Sequence, residues 1–92
     1  MFLDYYKGNK GEVCDNENEV IRSQNECIAA LKFHGYQTSN LWTGTDALHH
    51  PGMPVGCSIR NSGDMKPHFI PSSTGFGKGR NDLIPICKRA KN

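Results

Sequence analysis

Apolar residues recur at helical spacing in one stretch of the chain, and that stretch carries its own start and stop signals. Ser23-Gln24-Asn25-Glu26 has the Ser-x-x-Glu spacing of a capping box. In that motif the serine oxygen accepts from the amide of Glu26, and the glutamate returns a bond to Ser23. Cys27 through His34 follow, and Gly35 is placed to take the left-handed conformation that ends helices. At about 100° per residue, Ala30, His34, Cys27, Leu31 and Ile28 share one arc of about 160°, with Lys32 pointing away. The pattern predicts a helix over 24–34 with the Cys27 sulfur facing the core. His34 falls in its last turn, where a partial positive charge suits the helix dipole.

Elsewhere the hydrophobic period shortens to two or disappears. Residues 36–42 read as a strand leaving the helix. Residues 43–54, rich in Gly, Pro, Thr and His, read as a loop. Val55, Cys57 and Ile59 alternate with Gly56, Ser58 and Arg60, the period of a half-buried strand. Asn61-Ser62-Gly63-Asp64 is a turn signal, and residues 65–70 are the returning strand. Residues 71–79, PSSTGFGKG, are expected as a flexible loop. Residues 83–88 form a last short strand, placed at an edge because Pro85 cannot donate to a ladder. The predicted class is α+β: one helix packed on a small antiparallel sheet of three or four short strands. One domain spans 1–92, with 1–11 and 89–92 as tails.

Composition changes this picture in one respect. Leu, Ile, Val and Phe make up 18 of 92 residues, a thin core for a 10.2 kDa chain. Small domains with thin cores usually need staples. Cys14, Cys27, Cys57 and Cys87 are an even set with no close pair, unlike zinc ligands two to four residues apart. Two disulfides and an oxidising compartment are expected. Three pairings are open. The inward faces of Cys27 and Cys57 tilt the reading toward Cys27–Cys57 as a helix-to-sheet staple, with Cys14–Cys87 joining the chain ends. No apolar run approaches the ~18 residues of a membrane span. The opening MFLDYYKGNKG has an acid at Asp4 and no apolar stretch of signal length, so it does not read as a signal peptide. No Asn-x-Ser/Thr triplet offers a glycan acceptor.

The net charge of +2 is unevenly spread. Residues 1–26 hold six acids against three bases, a net of −3, and residues 27–92 hold eight bases against three acids, a net of +5. The chain closes on Lys88-Arg89-Ala90-Lys91. An overall +2 is weak for phosphate binding, so no nucleic-acid partner is expected.

Signs of catalysis are poor. Gly75-Phe76-Gly77-Lys78-Gly79 lacks the four-residue gap and the Lys-Ser/Thr ending of a phosphate loop. His49 and His50 are adjacent, so their rings tend to diverge, and no histidine pair has helical ligand spacing. There is no Gly-x-Ser-x-Gly elbow, and paired cysteines are inert. The chain is expected to be no enzyme and to use no metal or cofactor. Exposed rings beside donors are better candidates: Trp42, His49, His50, Phe76, Lys78 and Arg80 sit on two long loops. Such mixtures suit sugar faces and acidic groups.

The cysteine spacing and its anchors resemble a four-cysteine module of extracellular or lumenal proteins of marine algae and dinoflagellates. The matching pieces are Cys14, Glu26-Cys27 with Ala29-Ala30, Gly35, Pro54-Val55-Gly56-Cys57 and Ile86-Cys87-Lys88, covering about residues 12–88. Ile70 departs from the pattern, where an Asn would follow the hairpin Phe. The resemblance implies disulfides and a secreted or lumenal setting, and it carries no active-site residues. The function expected is a non-catalytic binding module for a glycan or protein partner. The alternatives are a secreted toxin or antimicrobial protein and an extrinsic subunit of an assembly such as a lumenal photosynthetic complex.

Overall fold

The helix forms where its caps are written. In the computed structural model, which describes residues 5–46, 48–61 and 65–89, α1 runs Gln24–Phe33. Ser23 Oγ accepts from the amide of Glu26 at 3.0 Å, which satisfies one of the donors a helix start leaves open. Such a cap contributes about 1 kcal/mol. The Glu26 carboxylate is directed to Lys88 Nζ, 3.8 Å away, rather than back along its own helix. At the other end Gly35 has φ +82°. Its amide donates to Lys32 O and the next amide, Tyr36, donates to Leu31 O. This is the paired closure of a Schellman motif. Cys27, Ala30 and Leu31 are buried, on the predicted arc.

The sheet has five strands rather than three or four, and it is mixed rather than antiparallel. In chain order they are β1 (Tyr5–Lys7), β2 (Trp42–Thr43), β3 (Gly56–Arg60), β4 (Pro67–Ile70) and β5 (Leu83–Lys88). In space they lie β1-β5-β3-β4-β2. The β3–β4 hairpin stands where the alternation put it, with Cys57 opposite Phe69 and Ser58 opposite His68. The turn expected at 61–64 lies, but for Asn61, outside the described residues. Of the strand expected at 36–42, only Trp42 pairs, and it does so parallel to β4. Tyr5–Lys7, within the segment read as a tail, forms the edge strand β1 against β5.

Pro85 is not at an edge. Its strand β5 lies inside the sheet, between β1 and β3. The Pro85 carbonyl accepts from Gly8 N at 2.9 Å, so the polar side of this residue faces β1 and not its partner Ser58 on β3. β1 ends at Lys7, and the missing donor falls just beyond that end. The pyrrolidine ring fills the space over Gly8, where a Cβ would come 2.7 Å from Pro85 Cγ. A proline is tolerated inside a sheet where no ladder bond is lost.

The two faces of the sheet bury different things. On one, α1 packs across β3, β4 and β5. Tyr5, Ile21, Cys27, Ala30, Leu31, Cys57, Ile59, Phe69 and Ile86 form the core there. The Cys27–Cys57 disulfide staples helix to sheet within it. On the other face loops take the helix's place. Cys14, Val20, Val55 and Cys87 make one cluster, closed by the Cys14–Cys87 disulfide. Met53, Ile70 and Leu83 make another, with Trp42 against it. β3 is therefore buried on both faces, not half-buried, and Ser58 on its polar side is fully enclosed.

The glycine-rich segment expected as a flexible loop is fastened. Arg22 Nη1 donates to the carbonyls of Gly75 (3.0 Å) and Ser72 (3.4 Å), and Gly75 N donates to Glu17 Oε1 at 2.8 Å. Further on, Val55 N donates to Phe76 O and Lys78 N to Met53 O. Gly77 bridges to Pro54 between them. It has φ +71°, and a Cβ there would meet Met53 O at 2.5 Å. The position excludes any side chain on two counts. Among the described residues no helix is long and apolar enough to cross a membrane.

Candidate functional site

A cleft of about 480 Å³ opens on the sheet face opposite the helix. It is lined by Trp42, His50, Met53, Arg60, Lys66, His68 and Arg80. Its floor follows from strand register. Trp42 is the parallel partner of His68, so their side chains leave the sheet together, with rings 5.4 Å apart. The loop after β2 returns His50 to the indole, edge-on at 5.1 Å. His50 Nε2 accepts from Thr45 N at 3.4 Å, which holds the ring in place. Trp42 is partly buried on Met53, Ile70 and Leu83, and its remaining surface is offered to the cleft.

The rim is cationic. Arg60 is the last residue of β3, and its amide donates to Lys66 O, so the two basic residues flank the hairpin mouth. Leu83 pairs with Arg60 and its amide donates to Arg80 O, which brings a third cation to the same place. Asp82 Oδ1 lies 2.8 Å from Arg80 Nε and orients the guanidinium. No acidic side chain lines the cleft among the described residues. His68 is 8% exposed, with Nδ1 3.0 Å from Lys66 O. Burial lowers its pKa below 6.5; the hydrogen bond to Lys66 O opposes this, and the charges of Arg60, Lys66 and Arg80 add to it. Burial and the neighbouring cations thus favour the neutral form of this imidazole.

The structure brings together three of the six side chains singled out in the sequence: Trp42, His50 and Arg80. The other three lie elsewhere. His49 turns away from His50, with its amide and its Nδ1 both on Asp46 Oδ1 at 2.9 and 2.8 Å. Those two bonds, the side-chain one first, hold the Asp46 carboxyl below its usual range. Phe76 packs on the Cys14–Cys87 cluster, so its ring serves the core and is no free anchor. Lys78 is exposed, outside the cleft lining. Arg60, Lys66, His68 and Met53 were missed. A signal for three of them was present. The alternation that turns Cys57 and Ile59 inward also turns Arg60 to the opposite face, and the hairpin sets Lys66 and His68 beside it.

Among the described residues no three His, Cys, Asp or Glu side chains are grouped to hold a metal ion. What the arrangement offers is a flat ring, two imidazoles and three long cations on one concave surface. The two disulfides are compatible with an oxidising extracellular or lumenal location. No protein-family model, no curated protein and no solved structure matches this chain.

Proposed function

We propose that this small disulfide-bonded α+β protein is a non-catalytic binding module of a secreted or lumenal setting, and that it recognises a glycan in the Trp42 cleft. The observation that carries the reading is the position of the indole. It is braced by His50 and His68 and backed by Met53, Ile70 and Leu83, yet part of it lines an open cleft. A rigid ring presented this way supplies contact area at low entropic cost. Donors around it suit hydroxyl and acidic groups of a sugar. A glycan array probed with the folded protein tests the proposal. Glycan signals are expected, and Trp42→Ala is expected to weaken them by about tenfold or more. Signals that survive Trp42→Ala unchanged in a folded variant would place the site elsewhere.

A further inference from the structure

The rim of the cleft gathers three cationic side chains, one of which, Arg80, is oriented by Asp82. Arg60, Lys66 and Arg80 come from the end of β3, the start of the return to β4 and the turn before β5. Like charges placed side by side on a sheet surface destabilise it. Departures from such local rules are expected at functional positions. We propose that the ligand of this cleft is an anionic glycan, and that Arg60, Lys66 and Arg80 form the subsite for its sulfate or carboxylate group while Trp42 carries the sugar ring. The inference rests on the reading of the cleft as a glycan site.

Three observations converge on it. The cations face one volume, which has no acidic side chain among its described lining. All three are felt by one ring, His68, whose proton affinity each of them lowers. The positive charge is also local: the chain as a whole is only +2 and its first 26 residues are net negative. A chain that bound polyanions indiscriminately would carry basic charge along a face. Here one aromatic platform adjoins one cationic subsite, the spacing of a charged sugar rather than of a tracked nucleic-acid backbone, which needs a groove and successive stacking rings.

Trp42 is the single tryptophan of the chain, so its fluorescence reports the cleft alone. The probes are chondroitin sulfate, desulfated chondroitin that keeps its uronate, desulfated chondroitin with the carboxyl reduced, and poly(U). Quenching is expected with an anionic form, with affinity at least about tenfold above the neutral form, since hydrogen bonds to charged groups are worth that much. Whether desulfation or carboxyl reduction removes the affinity tells sulfate from uronate recognition. Arg60→Gln and Arg80→Gln should each bring the anionic probe down toward the neutral one. Lys88→Gln, whose lysine pairs with Glu26 and lies outside the cleft lining, should leave binding intact. On the unmodified protein, 0.5 M NaCl should weaken the anionic probe about tenfold or more and spare the neutral one, because screening acts on the charge contacts alone; this arm holds if the arginine variants fail to fold. Equal binding of neutral and anionic forms, lost with Trp42→Ala, would overturn the anionic subsite and leave the glycan reading standing. An absence of quenching by every polymer would overturn both. Poly(U) binding tighter than any glycan, or Lys88→Gln weakening binding as much as Arg60→Gln, would overturn the subsite in favour of a nucleic-acid ligand or unspecific attraction.

Discussion

Removing the Cys14–Cys87 disulfide by the double change Cys14→Ala and Cys87→Ala should cost about 4 kcal/mol of stability. The two cysteines are 73 residues apart, and alone that loop would correspond to about 4.4 kcal/mol of chain entropy at 25 °C. The Cys27–Cys57 bridge, however, short-circuits the loop. With it intact, the ring runs from 14 to 27, across the sulfurs, and from 57 to 87, about 45 residues, which gives about 4 kcal/mol. Against a total stability of about 5–15 kcal/mol this is a large fraction. The melting temperature should fall by about 15–30 °C. Urea titration at 25 °C checks the amount and the mechanism together. If the loss comes from freeing the denatured chain, that chain becomes more expanded and the m-value rises. A loss below about 1 kcal/mol would refute the calculation. A full-sized loss with an unchanged m-value would refute its mechanism, and would assign the effect to native contacts of Cys87 with Val20 and Val55.

Gly77→Ala should cost about 2 kcal/mol or more, because φ is +71° and the new Cβ meets backbone of Met53 and Val55; a change within about 0.5 kcal/mol by urea titration would show that residues 76–78 are not pinned to 53–55. Ser58→Ala should be neutral or stabilising by up to about 1 kcal/mol, since Ser58 Oγ is buried without a hydrogen-bond partner; a destabilised variant would point to a partner such as buried water. Stability should fall on mild acidification. His68 and His34 both have pKa values lowered, chiefly by burial, the second also by Lys7. The fold therefore favours their neutral form, while the unfolded chain takes up protons near 6.5. Their contribution is whole above that pH and is lost as pH falls through 6.5 toward the lower folded values, where it levels off. Urea midpoints at pH 8 and pH 5 measure this, and a midpoint that rises on acidification would contradict it.

What the sequence determined by itself was whatever its local chemistry could specify. A serine oxygen three residues before the amide it caps, and a glycine free to take φ +82°, bound the helix without help from the rest of the chain. The alternation through Cys57 and Ile59 set one face of the β3–β4 hairpin, and with the inward Cys27 it pointed to the Cys27–Cys57 pair that formed. Everything that depended on a distant partner was decided by tertiary structure. Pro85 could enter the middle of the sheet because β1 stops one residue before its missing donor would be needed. β1 itself is a three-residue segment with no periodicity to read, and β2 is shorter still; both exist by virtue of the strand beside them. PSSTGFGKG reads as a mobile loop until Arg22 and Glu17, 50 to 58 residues away in sequence, close on its carbonyls and amide. His34, suited in the sequence to carrying charge at a helix end, is instead held toward its neutral form by burial and by Lys7 from β1. The cleft belongs to the same class. Trp42, His50 and Arg80 could be picked out as residue types, but only the parallel pairing of Trp42 with His68 and the register of Arg60 with Leu83 place a ring and three cations around one volume. Side-chain chemistry is written in the chain one residue at a time, whereas convergence is a property of strand order, and strand order is fixed by which long-range pairings bury the most.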